Sequence, residues 1–207
     1  MAIFLDDGTR LRRLTSTQQR ELGPPVVVDS WLVHDGQARA IDAHCARFSA
    51  SVQAAGIEGV DAFWHRALSV VPPTGSWFPR VEADGRGRLL LRMRAAPPLQ
   101  TEVRLWVAGE DRRRSPCVKG PDLPELLELR AQALDHGANE AVLTRGGIVV
   151  EGATTCLLWW EGNTLCRPDP RLPSLPGITS GLVIQQARVL GIEVADRLGR
   201  HADAGPD

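Results

Sequence analysis

The chain lacks several features that would place it in a common class of protein. It contains no tyrosine and a single lysine, and 23 of its 24 basic residues are arginine. The formal net charge of −1 gives no basic excess of the kind that nucleic-acid-binding proteins show. No apolar run approaches the roughly 20 residues of a membrane helix, and the N-terminus lacks the apolar centre of a signal peptide. We therefore expect a cytoplasmic protein with no nucleic-acid or membrane partner.

Metal-binding patterns are missing as well. The four cysteines include no C-x-x-C pair, and no histidine lies near them at zinc-finger spacing. We therefore expect reduced thiols and no metal site. The hydrophobic fraction of 43% and the charged fraction of 24% are typical of an ordinary globular protein. A length of 207 residues is enough for one large domain or two small ones.

Strand and helix patterns are present along the whole chain. The Asp35-Gly36 dipeptide between apolar runs predicts a β-hairpin over 25–42, and a second hairpin is predicted over 77–95. Amphipathic periodicity and stop signals predict the helices. The further predicted elements are helices at 43–55, 60–71, 122–137 and 177–191, and strands at 101–109, within 140–169 and at 192–196.

The charged, proline-containing segment 110–116 interrupts this pattern and is the best candidate for a linker. Its three consecutive arginines, 112–114, are expected to be solvated. The chain thus divides into two predicted α/β (α+β) domains, 1–112 and 113–207, with no detectable repeat.

The single lysine, Lys119, lies just after that segment, in SPCVKGPDLP. A guanidinium stays protonated at any ordinary pH, whereas an amine can lose its proton and attack a carbonyl. A strong arginine bias could also leave one lysine by chance, so the surrounding motifs must show whether Lys119 has a chemical role.

Two motifs follow the lysine. Glu151 ends an apolar strand in IVVEGATTC, where a carboxylate is either solvated or aimed at a ligand. The segment LPGITS then leads into a helix whose first turn contains Ile178 and Thr179. Free N–H groups at a helix start can bind phosphate, although threonine there often only caps the helix.

A third motif lies in the first half of the chain, in IDAHCARFSAS. His44 and Arg47 are three residues apart on the predicted helix and so share a face. They could point towards one site, although a surface arginine is the ordinary alternative.

Taken in order, these motifs resemble the class IV pyridoxal phosphate (PLP) enzymes. That family comprises branched-chain aminotransferases, D-amino acid aminotransferases and aminodeoxychorismate lyases. Residues 115–196 carry the resemblance well, through the lysine before a helix, the strand-end glutamate and the Leu-Pro-Gly-Ile-Thr segment. Residues 41–51 are similar to the family's His-x-x-Arg helix. The resemblance implies a two-domain D-amino acid aminotransferase-like fold (PLP fold type IV), with the cofactor between the halves, and a homodimer.

The resemblance also implies roles for individual residues. Lys119 would be the Schiff-base lysine and proton shuttle, and Glu151 would be the partner of the pyridine nitrogen. Arg47, Ile178 and Thr179 would hold the phosphate.

Some positions depart from the family pattern. The usual phenylalanine-glutamate motif is replaced by VVVDSWLVHDG, and Leu123 and Pro124 lie where many aminotransferases have a tyrosine. We expect the family's C-terminal strands to be missing after IEVADR, which predicts a weak or inactive catalyst.

Two reactions are consistent with the resemblance. A transaminase would exchange the amino group of an amino acid with a 2-oxo acid, and we favour it. An aminodeoxychorismate lyase would eliminate pyruvate. The alternative from another functional class is a catalytically degenerate relative that keeps the fold as a binding or interaction protein.

Overall fold

The computed structural model describes residues 1–200. The chain forms two compact units, which are described separately below. Unit 1 is Met1–Leu99 with Val118–Pro121, and unit 2 is Gln100–Cys117 with the chain from Asp122 onward. The predicted domains, 1–112 and 113–207, differ from these units at two places. The strand that ends at Glu110 pairs within unit 2, and the Lys119 segment pairs within unit 1.

Unit 1 is built on a five-stranded antiparallel sheet with the strand order β2-β1-β8-β7-β3. Strands β7 and β8 form the hairpin that the sequence predicts over 77–95. The strands of this sheet are β1 (Ala2–Asp6), β2 (Leu11–Arg13), β3 (Pro25–Ser30), β7 (Arg80–Asp84) and β8 (Leu89–Met93).

The predicted hairpin over 25–42 is only partly correct. The turn exists, with φ of 45° at Asp35 and 73° at Gly36, but it joins only the short strands β4 (Val33–His34) and β5 (Gln37–Ala38). β4 also pairs with β6 (Ser76–Trp77). β3 pairs instead with β7, and Trp31, which follows β3, is buried in the core. Burying this indole separates β3 from the hairpin.

Two helices, α2 (Ile41–Ala54) and α3 (Val60–Ser69), cover one face of the unit 1 sheet. The short helix α1 (Ser16–Arg20) has no buried residue. Phe48 of α2 and Phe63 of α3 are fully buried and meet with their ring centroids 6.3 Å apart. Val27, Val81 and Leu91 of the sheet belong to the same core, so alternate residues of these strands face the helices.

Unit 2 contains two three-stranded sheets and two long helices. One sheet has the order β11-β10-β9, with β9 parallel to β10, and the other has the order β12-β13-β14. A small alanine-rich core lies beneath α4. The elements are β9 (Leu105–Glu110), α4 (Leu123–Asp135), β10 (Glu140–Arg145), β11 (Ile148–Gly152), β12 (Trp159–Glu161), β13 (Thr164–Pro168), α5 (Ile178–Val189) and β14 (Val194–Arg197).

The helices and the last strand lie close to their predicted positions. The strand predicted at 192–196 is β14, and Arg200 forms an isolated bridge with Ile148. The end of the polar tail, residues 201–207, lies outside the described residues.

Candidate active site

Lys119 is held against the edge of the unit 1 sheet. Its carbonyl oxygen accepts a hydrogen bond from the backbone N–H of Val28 at 2.7 Å. The next residue, Gly120, has φ of +146°, and a Cβ there would lie 2.8 Å from Cα of Val27 and 2.9 Å from the carbonyl oxygen of Val26. Only glycine permits this close approach. The backbone of the single lysine therefore has a fixed place beside β3.

The neighbouring residue of β3, Asp29, binds both residues of the His-x-x-Arg pattern. Its carboxylate lies 2.7 Å from Nδ1 of His44 and accepts hydrogen bonds from Nε and Nη2 of Arg47 at 2.8 and 3.0 Å. Asp29 is fully buried. Because His44 and Arg47 lie on one face of α2, a single carboxylate can orient both side chains.

Asp29 is ionised in this arrangement. Burial raises its pKa, but the hydrogen bonds from His44 and Arg47 outweigh burial and bring the pKa below its ordinary value of 3.8. A charged Asp29 holds two of the five N–H donors of Arg47 in place.

In unit 2, Glu151 is buried near the end of β11. Its Oε1 atom accepts a hydrogen bond from Nη1 of Arg113 and one from the backbone N–H of Leu175 at 3.1 Å. Arg113 also donates to both oxygens of Asp111, at 2.8 and 3.0 Å. One guanidinium is thus shared by two carboxylates.

The two oxygens of Glu151 differ. Both of its hydrogen bonds end on Oε1, and Oε2 accepts none within residues 1–200. Burial raises the pKa of Glu151, and the positive charge of Arg113 only partly opposes this. A cationic donor placed at Oε2 would stabilise the ionised carboxylate. The arrangement therefore suits a protonated ring nitrogen.

The N-terminus of α5 is open to an anion. Gly177 precedes the helix in an extended conformation. No side chain of residues 1–200 caps the first turn, which begins with Ile178 and Thr179. The first N–H groups of a helix have no partner inside it and attract negative charge. A Cβ at Gly177 would overlap Sγ of Cys156 and Oγ of Ser180, so both side chains would have to rotate to admit a larger residue.

The five predicted site residues fall into two groups. Lys119 and Arg47 belong to unit 1 and contact adjacent residues of β3, Val28 and Asp29. The other three, Glu151, Ile178 and Thr179, belong to unit 2. Leu175, which donates to Glu151, lies three residues before α5, so the carboxylate contacts the segment that leads into the helix.

Sequence reasoning missed two residues of the site. Asp29 stands alone as a charge in the apolar run PVVVDSWLV, a pattern that indicates a buried carboxylate in need of a partner. The expectation that arginines 112–114 are solvated is wrong for Arg113, whose side chain is only 6% exposed. Asp111 and Glu151 neutralise Arg113 and make its burial tolerable.

Within residues 1–200 the structure contains no helix long and apolar enough to cross a membrane. The same residues include no group of three or more potential metal ligands.

The two α+β units, with a glycine-anchored lysine in one and a buried glutamate beside an open helix start in the other, define a mixed α/β fold of the PLP fold type IV class. The chain belongs to the class IV aminotransferase family, because the model of amino-transferase class IV matches residues 26–203. A search of curated proteins found no match.

Solved structures share this fold. An aminotransferase from Brucella abortus, bound to PLP, is 21% identical with a TM-score of 0.76, over 99% of this chain and 84% of that one. A hypothetical aminotransferase from Mycobacterium tuberculosis, bound to alpha-ketoglutarate and PMP, is 18% identical with a TM-score of 0.80, over 99% of this chain and 83% of that one. A protein provisionally named 4-amino-4-deoxychorismate lyase is 24% identical with a TM-score of 0.74, over 91% and 80%. The predicted fold is confirmed.

Proposed function

We propose that the chain is a PLP-dependent transaminase that moves an amino group between an amino acid and a 2-oxo acid. The observation that carries this proposal is the carboxylate of Glu151, which is anchored through Oε1 and leaves Oε2 without a hydrogen bond within residues 1–200. A buried carboxylate with one available oxygen matches the protonated nitrogen of the pyridine ring. Bound PLP supplies an electron sink for the α-carbon of the substrate.

Lys119 would bind the cofactor covalently through Nζ and then move a proton to and from the substrate's α-carbon. An amine suits both tasks because it can act as a nucleophile and as a general base once it is deprotonated. The hydrogen bond to Val28 and the close packing of Gly120 fix its backbone. Such positioning contributes to proton transfer by holding the base in reach.

The phosphate group would be bound by Arg47 and by the first turn of α5. Ile178 and Thr179 offer backbone N–H groups, and Thr179 offers a hydroxyl as well. Asp29 orients Arg47 through two N–H donors. Arg113 would act on the ring only indirectly, by keeping Glu151 in position.

A lyase that releases pyruvate is the second candidate. The absence of any tyrosine favours it, because many aminotransferases have that residue shortly after the lysine, where Leu123 and Pro124 stand here. Paired assays separate the two reactions. Formation of a new amino acid from a 2-oxo acid supports the transaminase, whereas pyruvate release from aminodeoxychorismate supports the lyase.

Two further features follow from the family resemblance and belong to the same proposal. We propose a homodimer, which light scattering of the purified chain would detect, and a cytoplasmic location, which cell fractionation would test.

The central test is chemical labelling of the lysine. Borohydride reduction of the protein with PLP, followed by peptide mapping, should attach the cofactor to Lys119, and the protein should absorb visible light before reduction. Lys119→Arg is the matched control because it keeps the charge and removes the reactive amine. An unlabelled peptide at saturating PLP would overturn the proposal.

A further inference from the structure

Asp122 stands at the start of α4 but does not cap that helix. An aspartate in this place normally accepts a hydrogen bond from a backbone N–H of the first helical turn. Within residues 1–200 the side chain of Asp122 forms no such bond. Its buried carboxylate is directed back along the chain, where Oδ1 accepts from the N–H of Arg114 at 3.1 Å and Oδ2 from the N–H of Ser115 at 2.9 Å. Both oxygens therefore hold an earlier segment.

These two hydrogen bonds close a loop at its base. The loop runs from Ser115 to Asp122 and contains Lys119. Both of its ends belong to unit 2, whereas its middle, Val118–Pro121, belongs to unit 1. There the carbonyl oxygen of Lys119 accepts from the N–H of Val28 in β3. The lysine segment is thus held by β3 at the tip of the loop and by Asp122 at the base.

The residue before the base is held independently of Asp122. Arg113 directly precedes the two N–H groups that Asp122 binds, but its guanidinium donates to Asp111 and Glu151. Neither of these contacts involves Asp122. Loss of Asp122 would therefore free the base of the loop and leave the support of Glu151 in place.

The two hydrogen bonds need a carboxylate. Two acceptor oxygens face two backbone N–H donors, whereas an amide offers one oxygen and one NH₂ group. Asparagine at position 122 would keep one acceptor and place a donor against the other N–H. Alanine would remove both acceptors, so water would have to replace them. We therefore expect a graded series, with aspartate best, asparagine next and alanine last.

We propose that Asp122 is a positioning residue for Lys119, because it closes the loop that carries the lysine. This inference rests on the proposed function, in which Nζ of Lys119 binds the cofactor and moves a proton. A misplacement of about 1 Å can lower a rate by about a hundredfold. A loop that is held at its base and its tip explores fewer conformations than one held at its tip alone. Asp122 acts through the backbone and not on the reacting atoms.

Hydrogen exchange of the full chain without added PLP tests the loop itself. The amides of Arg114 and Ser115 should exchange about tenfold faster or more in Asp122→Ala than in the wild type. Asp122→Asn should show a smaller increase, and exchange in β10 should stay unchanged in both. Glu125→Ala is the matched control, since Glu125 is an exposed acid in the first turn of the same helix. The inference is overturned if Asp122→Ala and Glu125→Ala exchange alike at the loop, or if β10 exchanges faster to the same extent.

Two measurements on the folded variants separate positioning from a general structural role. Pyridoxamine phosphate (PMP) has the ring and the phosphate but no aldehyde, so it cannot bond covalently to Lys119. Asp122→Ala should bind PMP with nearly the wild-type affinity, whereas the initial rate of labelling by PLP, trapped with borohydride, should fall by about tenfold or more. Asp122→Asn should recover part of that rate.

The outcomes distinguish this inference from the proposed function. A wild-type labelling rate in Asp122→Ala, or a loss of PMP affinity that matches the loss of rate, overturns the role of Asp122 while the proposed function stands. If the wild-type chain is itself not labelled, the proposed function fails and the role of Asp122 fails with it.

Discussion

Removing Arg47 should destabilise unit 1 by several kcal/mol even without cofactor. In Arg47→Ala, Asp29 stays buried but loses two hydrogen bonds, and its remaining side-chain partner is His44. Breaking a buried ion pair by removing one partner costs about 3–5 kcal/mol, because the other charge is left uncompensated. Since His44 remains, we expect the free energy of unfolding to fall by about 3 kcal/mol, near the lower end of that range.

The assay is urea unfolding of the cofactor-free chain, with a double-mutant cycle. Asp29→Ala with Arg47→Ala removes the whole ion pair, so the double variant should be more stable than the sum of the single losses implies, by about 1–3 kcal/mol. Arg10→Ala, in a surface pair with Asp7, is the control and should show no measurable loss. A loss below about 1 kcal/mol in Arg47→Ala would refute the reasoning.

The same pair predicts a pH dependence. The pKa of Asp29 in the folded chain lies below its ordinary value of 3.8, so Asp29 stabilises the fold above pH 3.8. This contribution disappears as the pH falls through the folded pKa. The difference in stability between the wild type and Arg47→Ala should therefore narrow below pH 3.8.

Where Arg47→Ala remains folded, PLP should bind about ten- to a hundredfold more weakly, because a charge-assisted contact is worth about 1.5–3 kcal/mol.

Two further substitutions test the anchoring of the proposed catalytic groups. Glu151→Gln should leave the unfolding free energy equal or higher at pH 7, since burial already raises the pKa of this carboxyl. The same substitution should lower turnover by orders of magnitude. An unchanged turnover would mean that the carboxylate does not act on the ring. Gly120→Ala should cost about 1–3 kcal/mol and reduce borohydride labelling of Lys119, because its Cβ would press on the backbone of Val26 and Val27. Gly8→Ala is the control, with a positive φ but nothing within 4 Å of the added Cβ, and equal labelling in both glycine variants would contradict the packing argument.

Local signals in the sequence were enough to predict much of the fold. The Pro-Gly pair before an apolar periodic run marks the start of α5 within a residue, and the ADGRG turn marks the β7–β8 hairpin. These features depend on the backbone preferences of a few neighbouring residues. For the same reason the prediction of a turn at Asp35-Gly36 is correct, although the predicted length of the strands that it joins is not.

Long-range partners could not be predicted in this way. β3 pairs with β7, about 50 residues later, because its apolar residues must face α2 and α3. The run of three arginines gives no sign that the middle one is buried, since its partner Glu151 is 38 residues away. The positions proposed for the cofactor were recognisable from motifs, whereas Asp29 and Arg113, which orient them, depend on the folded structure.

The assignment of Val118–Pro121 to unit 1 has a consequence for how the protein can be divided. The chain leaves unit 1 after Leu99, returns for four residues that include its only lysine, and then leaves again. A fragment ending at Leu99 would contain the sheet and Arg47 but no lysine. A fragment beginning at Gln100 would contain the lysine without the β3 edge that holds it. The lysine and the strand that supports it therefore come from distant parts of the sequence, and no single cut of the polypeptide separates the two units cleanly.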